Sequence, residues 1–331
     1  MPRRDGARRG RIRPHRSVSG PALSLWRLDR TPRRSELVRA EARALGLGDE
    51  VAPGLYLARR AYVPGRAAFG CGGGTLLGSG PPEAIALPAG GRRVHVVRGP
   101  WKVPGNPAEL LRRLGSEVRP APRGCPLELY AAPGRWFLVR AASPAAPAYA
   151  PPRLLHRTSS SLEGRVARAV VNLVARPGER VIDPVCGTGV LLVEAARIGC
   201  RAQGSDLNAK ACHAARANLA ALGLKAEVRV RDALALAPEE PPCDALVGDL
   251  PYGLRLEAGS LEAFARALPR LAGRWALVAH RDLSEAFAAA GHPLRAVVPV
   301  PKPTFVRYVH LGGEDFPPGG GVDPSGTGGP R

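Results

Sequence analysis

Between residues 162 and 312 the apolar positions alternate between two periods. A helical spacing of three and four residues runs through 162–175, 190–199, 209–223, 261–272 and 283–291. Short, dense apolar runs of strand length separate them, at 180–183, 201–206, 226–232, 243–249, 275–280, 294–300 and 305–312. Strand and helix alternating at this interval predict a mostly parallel seven-stranded sheet with helices on both faces. The last two strands follow one another through a short connection, which allows the final strand to run antiparallel.

Upstream the pattern is mixed and predicts a smaller α+β domain. Strands are expected at 23–28, 94–99 and 136–141, and helices at 35–46, with Ser35 as N-cap, and at 106–115. The run GCGGGTLLGSG (70–80) invites a phosphate-loop reading but lacks the Lys-Ser/Thr pair that would hold phosphate and metal, so it is expected to be a flexible loop. Residues 141–152, AASPAAPAYAPP, read as an extended spacer between domains at 21–140 and 153–312. The first 20 residues show no apolar periodicity. They are expected to be disordered: an arm that grips RNA, a tail without a role, or the product of a misassigned start. The Gly/Pro-rich stretch 313–331 is likewise expected to be disordered.

Charge sharpens this division. Residues 1–150 contain 26 Lys+Arg against 10 Asp+Glu, whereas residues 151–331 contain 22 against 18, so most of the net +20 sits in the first half. Coding bias can explain why 44 of the 48 cations are Arg, but not this asymmetry. A basic module joined to a nearly neutral one suggests a polyanion partner, RNA above all. Cys71, Cys125, Cys186, Cys200, Cys212 and Cys243 form no C-x-x-C pair, so reduced thiols and no metal site are expected. No apolar run of about 20 residues suggests a membrane span, and a cytoplasmic, monomeric protein is the expectation.

In open parallel sheets, ligands bind beyond the carboxyl ends of the strands. Here the first strand ends in Asp183-Pro184-Val185-Cys186-Gly187-Thr188-Gly189, where two glycines permit a tight turn before a helix. A dinucleotide fingerprint would need a third glycine at Leu192. Asp183 can instead accept from the ammonium of an amino-acid ligand. The second strand ends in Gly204-Ser205-Asp206, placing a carboxylate for ribose hydroxyls. The third ends in Arg231-Asp232-Ala233, near where an adenine amine would lie. Amino acid, ribose and adenine together describe S-adenosylmethionine. The fourth end, Asp249-Leu250-Pro251-Tyr252-Gly253, suits an exocyclic base amine. Its delocalised lone pair becomes reactive when Asp249 and a main-chain carbonyl near Leu250 accept the N–H hydrogens. Pro251 stiffens the turn, and Tyr252 can stack on the base for about 1–3 kcal/mol.

These four strand ends, in this order, resemble the class I methyltransferases of the THUMP-containing tRNA guanine-N2 family, archaeal and bacterial. The lead-in His156-Arg157-Thr158-Ser159-Ser160-Ser161, with Arg168-Ala169-Val170-Val171-Asn172-Leu173, is similar to that family's approach to its catalytic domain. The resemblance is specific over roughly 154–312 and only architectural in the first half. It implies a Rossmann-like methyltransferase domain with no metal that transfers methyl from S-adenosylmethionine to guanosine N2 in tRNA. It also implies that Asp183, Pro184, Cys186, Gly187, Thr188 and Gly189 line the methionine part. Asp206 would then hold the ribose, Asp232 and Ala233 the adenine, and Asp249, Leu250, Pro251 and Tyr252 the target base. Thr158 and the neighbouring serines are placed either to approach the cofactor carboxylate or to cap the following helix.

Competing readings are ribosomal guanine-N2 or nucleic-acid adenine-N6 methylation, a non-catalytic RNA-binding protein, and a nicotinamide oxidoreductase. Leu250 after an acidic Asp249 leans toward guanine, whose N2 adjoins an N1–H donor. The adenine pattern pairs Asn or Asp with Pro-Pro and an aromatic. An intact motif argues against loss of catalysis, and Leu192 against nicotinamide.

Overall fold

The computed structural model describes residues 22–29, 34–101, 103–142, 149–233, 242–250, 260–292 and 294–313. Two sheets organise them. The first contains β1 (Ser24–Leu28), β2 (Glu50–Ala52), β3 (Leu55–Ala58), β4 (Gly70–Gly80), β5 (Arg93–Val97), β6 (Arg119–Pro120), β7 (Leu127–Ala132) and β8 (Arg135–Ala141). Helices α1 (Ser35–Ala44) and α2 (Pro107–Arg112) accompany them. The strand order is β2-β3-β1-β4-β8-β7-β5-β6. This half is therefore much richer in strand than the three predicted strands suggest.

The Gly-rich run expected to be a flexible loop is instead the long central strand β4, held between β1 and β8. Its glycines serve packing. A Cβ on Gly73, at φ +147°, would overlap the Leu25 carbonyl and come within 2.7 Å of the Tyr62 ring. One on Gly74 would overlap the Arg140 carbonyl. The strand is thus glycine-rich because backbone and aromatic side chains press onto it. The second correction concerns α1: Arg34, not Ser35, stands at its cap position and makes no side-chain cap bond. The Arg34 guanidinium is engaged by Glu163 at 3.0 and 2.6 Å. By contrast α2 has a full capping box, with Asn106 Oδ1 accepting from Glu109 N and Glu109 Oε2 from Asn106 N.

The second sheet follows the predicted alternation closely. It runs α3 (Gly164–Val174), β9 (Arg180–Asp183), α4 (Val190–Arg197), β10 (Arg201–Asp206), α5 (Ala209–Ala221), β11 (Ala226–Val230), β12 (Cys243–Asp249), α6 (Ser260–Leu271), β13 (Ala272–Ala279), α7 (Ser284–Ala289), β14 (Ala296–Pro301) and β15 (Val306–Gly313). The order is β11-β10-β9-β12-β13-β15-β14, with β15 antiparallel to both its neighbours and the β9–β13 pairings parallel. Because the order reverses between β9 and β12, a crevice opens beside the ends of those two strands.

The sheets share a hydrophobic core. Trp26, Leu37, Val38 and Phe69 from the first half are buried with Val166, Val170, Val298 and Val309 from the second. A buried polar knot crosses the same seam. Glu41 of α1 accepts from Asn172 Nδ2 of α3 at 2.6 Å and from the Ala68 amide at 2.7 Å, and Arg66 donates to Asn172 Oδ1. Burial pushes the Glu41 carboxyl above its ordinary range, against those hydrogen bonds.

Of the spacer expected at 141–152, residues 143–148 fall outside the described set. Tyr149 at its end is buried, its hydroxyl donating to Glu194 Oε1 at 2.6 Å beneath the guanidinium of Arg168. Of the terminal segments expected at 1–20 and 313–331, Gly313 ends β15, and residues 1–20 and 314–331 lie outside the described residues.

The β4 packing generates a test. Gly73→Ala should lower the melting temperature by at least about 5 °C, whereas Gly78→Ala, with open space around its Cβ, should shift it by less than about 1 °C. Equal shifts in a thermal-unfolding comparison would remove the packing explanation.

Candidate active site

Four neighbouring strands, β11, β10, β9 and β12, bring those predicted residues that are described to one edge. Cys186 N–H donates to the Ser205 carbonyl at 2.9 Å, stitching the Asp183–Gly189 turn to β10, and Gly189 N–H closes the turn onto the Cys186 carbonyl at 2.8 Å. Gly187 and Gly189 have φ of +51° and +84°, a region that favours glycine. Asp206 then reaches across. Its Oδ2 accepts from Gly187 N–H at 2.9 Å and its Oδ1 from Asn208 N–H at 2.9 Å. The pairing continues beyond β11, as Arg231 N–H donates to the Asp206 carbonyl at 3.1 Å. That contact sets exposed Asp232 and half-buried Ala233 beside the acidic strand end.

Leu192 explains why this is not a dinucleotide site. Its side chain fills the space over Gly204, where a Cβ would overlap Leu192 Cδ1 and come within 3.1 Å of Cys186 Cβ. Leu192 thus packs directly on Gly204, where a third glycine of a dinucleotide fingerprint would leave that space open. Pro184 contributes its carbonyl to the Ser205 hydroxyl at 3.5 Å. Cys186 is buried, and burial next to Asp183 and Asp206 pushes its thiol up, so it is a packing residue and not a nucleophile.

The electrostatics are those of a cation site. Asp183 is buried, accepts from Val185 N–H at 3.2 Å, and faces both Asp249 and Asp206. Burial first, and then those like charges, hold its carboxyl well above the usual range. Three crowded carboxylates favour a ligand that carries positive charge, such as an ammonium beside a sulfonium. The residues present therefore fit S-adenosylmethionine.

At the fourth end, Asp249 is pushed up to about 6, by burial and against the pull of Arg307 and then Lys302. Leu250 N–H is taken by the Val278 carbonyl at 2.8 Å, and its side chain is buried with Phe264 and Leu277. The predicted Pro251 and Tyr252 lie outside the described residues.

Three residues escaped the sequence reading. Asn218 of α5 is buried, accepts from His156 N–H at 2.9 Å and donates to the His156 and Thr188 carbonyls, both at 2.9 Å. It ties the lead-in segment to the glycine turn, and the apolar surroundings of an uncharged residue gave no signal for it. Arg307 of β15 donates to both Asp249 oxygens, and its signal was a cation on the buried phase of a strand. Glu163 is the N-cap of α3 and makes no side-chain cap bond. Thr158 Oγ1 bonds to the Ser160 and Ser161 hydroxyls, so of the two roles left open for this cluster, capping is not observed.

A seven-stranded sheet in this order, with an acidic pocket at the ends of β9 and β10, is the architecture of a Rossmann-like methyltransferase domain. Residues 154–279 match the family model described as RMKL-like, methyltransferase domain. The tRNA (guanine(10)-N2)-dimethyltransferase of Methanothermobacter thermautotrophicus is 40% identical over 96 residues, 28% of this chain and 28% of that protein. The protein-L-isoaspartate O-methyltransferase of Methylorubrum populi is 42% identical over 82 residues, 25% of this chain and 39% of that protein. The chain thus covers well under half the length of these relatives. The crystal structure of TrmN from Thermus thermophilus aligns over 88% of this chain and 100% of its own, at 23% identity and a TM-score of 0.47. Among the described residues no helix is long and apolar enough to cross a membrane, and no group of His, Cys, Asp or Glu is arranged for a metal.

Two outcomes are expected. Binding of S-adenosylmethionine should release a proton, because a cationic ligand pulls the raised Asp183 carboxyl down. Calorimetry in buffers of different ionisation enthalpy reads this directly, and Asp183→Asn should abolish it. Asn218→Ala should weaken S-adenosylhomocysteine binding by about tenfold through its orphaned buried partners; unchanged affinity would show that the tether does not shape the pocket.

Proposed function

We propose that the chain transfers a methyl group from S-adenosylmethionine to the exocyclic N2 amine of a guanosine in tRNA. The observation that carries this reading is Asp249, a mostly buried carboxylate at the strand end beside the donor turn, close enough to Asp183 to raise its pKa. When bound, S-adenosylmethionine supplies an electrophilic methyl. The chain's part is to seat the amine in line with that methyl and to make its nitrogen a better nucleophile.

Asp249 does the second task by accepting an N–H hydrogen, which draws the nitrogen lone pair out of the ring. As the C–N bond forms and the S–C bond breaks, the nitrogen gains positive charge, and Asp249 is placed to take its surplus proton. A carboxyl held at about 6 suits both roles at neutral pH: charged before transfer, yet basic enough to receive the proton. In the sequence reading, Pro251 stiffens the acceptor turn and Tyr252 stacks on the base.

Several features favour a tRNA guanine. The relatives from Methanothermobacter thermautotrophicus and two other archaea carry that substrate in their names. The basic first half supplies charge for a polyanion, and its core is continuous with the methyltransferase domain. The isoaspartate relative's substrate fits poorly, because a carboxylate acceptor would be repelled by Asp249.

The test uses purified full-length protein with tritiated S-adenosylmethionine and, separately, tRNA, ribosomal RNA, DNA and protein. Label should appear in N2-methylguanosine or N2,N2-dimethylguanosine from tRNA, and Asp249→Ala should reduce it by about 100-fold or more. Label in adenine, ribosomal RNA or protein instead would overturn the assignment.

A further inference from the structure

Arg307 is almost fully buried on β15, the strand set between β13 and β14. Its Nη1 donates to Asp249 Oδ1 at 3.2 Å and Oδ2 at 3.0 Å, while Nη2 donates to the Ser160 carbonyl at 2.7 Å. One guanidinium therefore joins the end of β12 to the lead-in segment, and its plane fixes that of the carboxylate. On the outer side it lies 5.9 Å from the ring of Phe305, which is 40% exposed. Burying a guanidinium is costly unless it is paired. Asp249 and the Ser160 carbonyl are among the partners that make this position tenable.

We propose that Arg307 is a positioning and specificity residue: it holds Asp249 as a charged, oriented acceptor, which selects a base edge carrying two neighbouring N–H donors. The inference rests on Asp249 being the acceptor of the target amine. A carboxylate can accept from guanine N1–H and N2–H side by side. Adenine offers one N6–H beside the N1 lone pair, which a carboxylate repels and a neutral carboxylic acid would bond. The charge state of Asp249 is thus a choice between purines.

Among the described residues, the charged groups facing Asp249 are Arg307 from β15, Lys302 from the turn between β14 and β15, and Asp183 from the end of β9. Burial works against ionisation, Arg307 is the strongest opposing influence, and Lys302 is weaker. Without Arg307 the neutral acid would persist to higher pH.

The experiment compares Arg307→Gln and Arg307→Lys with the wild type, each in the native and the Asp249→Asn background. In the absence of any ligand, the gap in melting temperature between wild type and Arg307→Gln should widen as pH rises through about 6 and stay flat in the Asp249→Asn background. In methyl transfer, Arg307→Gln should move the acid limb of the pH–rate profile up by about one unit. It should also lower kcat about tenfold while leaving KM for S-adenosylmethionine unchanged, and reduce the guanine-to-adenine labelling ratio. Arg307→Lys should restore the limb but not the full kcat, since a point charge lacks the fork. A pH-independent gap equal in both backgrounds, or an unshifted limb, overturns the proposal. Should Arg307→Gln not fold, wild-type kcat in Arg307→Lys overturns it, and a reduced kcat with an unshifted limb supports it. If wild-type label goes to another substrate, the guanine reading fails while the melting-temperature cycle still reports on the pair.

Discussion

Burial of carboxylates governs this site, and at Asp183 their mutual repulsion adds to it. Asp183, Asp206 and Asp249 end three adjacent strands, and the first is buried with both of the others acting on it. Nothing in folding rewards such an arrangement, because each burial disfavours the charged form. It is tenable because two of the three are held by other means. Asp206 spends its oxygens on the Gly187 and Asn208 amides, and Asp249 leans on Arg307. Asp183 keeps the stress, and a cationic ligand relieves it. The pocket is thus tuned to charge before shape, which fits a sulfonium donor better than a phosphate-bearing cofactor.

The glycine turn and Leu192 make the same distinction sterically. In a dinucleotide site the helix N-terminus presses against the strand, and glycine permits it. Here Leu192 occupies that space over Gly204. Asn218 then ties the turn to residue 156, so that the lead-in segment borders the pocket. The Ser160 carbonyl on that segment meets Arg307, and Arg307 meets Asp249. Donor turn, lead-in segment and acceptor strand are joined by a chain of directional bonds, which is what in-line transfer between two bound molecules requires.

How much of this was legible follows from the physics of each element. The second sheet could be read because buried parallel strands are short apolar runs and their helices keep a 3.6-residue period, so local pattern and global fold agree. The strand-end acids could be read because chain order dictates where they stand. The first sheet was harder. Residues 70–80 carry the composition of a loop, yet they form a central strand because Tyr62 and the neighbouring backbones need the missing Cβ atoms. A period-2 search cannot see a strand whose side chains have been removed to make room for others. Ser35 misled for a similar reason: a cap-forming residue precedes the helical run, but the chain enters one residue earlier, where Arg34 reaches Glu163 across the seam. Arg307 and Asn218 act through partners 58 and 62 residues away, a separation at which sequence spacing carries no information.

The seam between the sheets gives the basic half a mechanical meaning. A flexible tether would let a polyanion bind without constraining which nucleotide reaches the pocket. Here α1 is buried against α3 through Leu37 and Val38, and Glu41 is hydrogen-bonded to Asn172 in the same interface. Arg34 holds Glu163 at the start of α3, and Lys302 approaches the same carboxylate at 3.7 Å from the turn that leads into β15. Any RNA gripped by the first half is therefore held in a frame that shares side chains with the strand carrying Arg307. On the proposed reading, the distance from grip to pocket is a property of the fold, and with it the choice of nucleotide presented to Asp249.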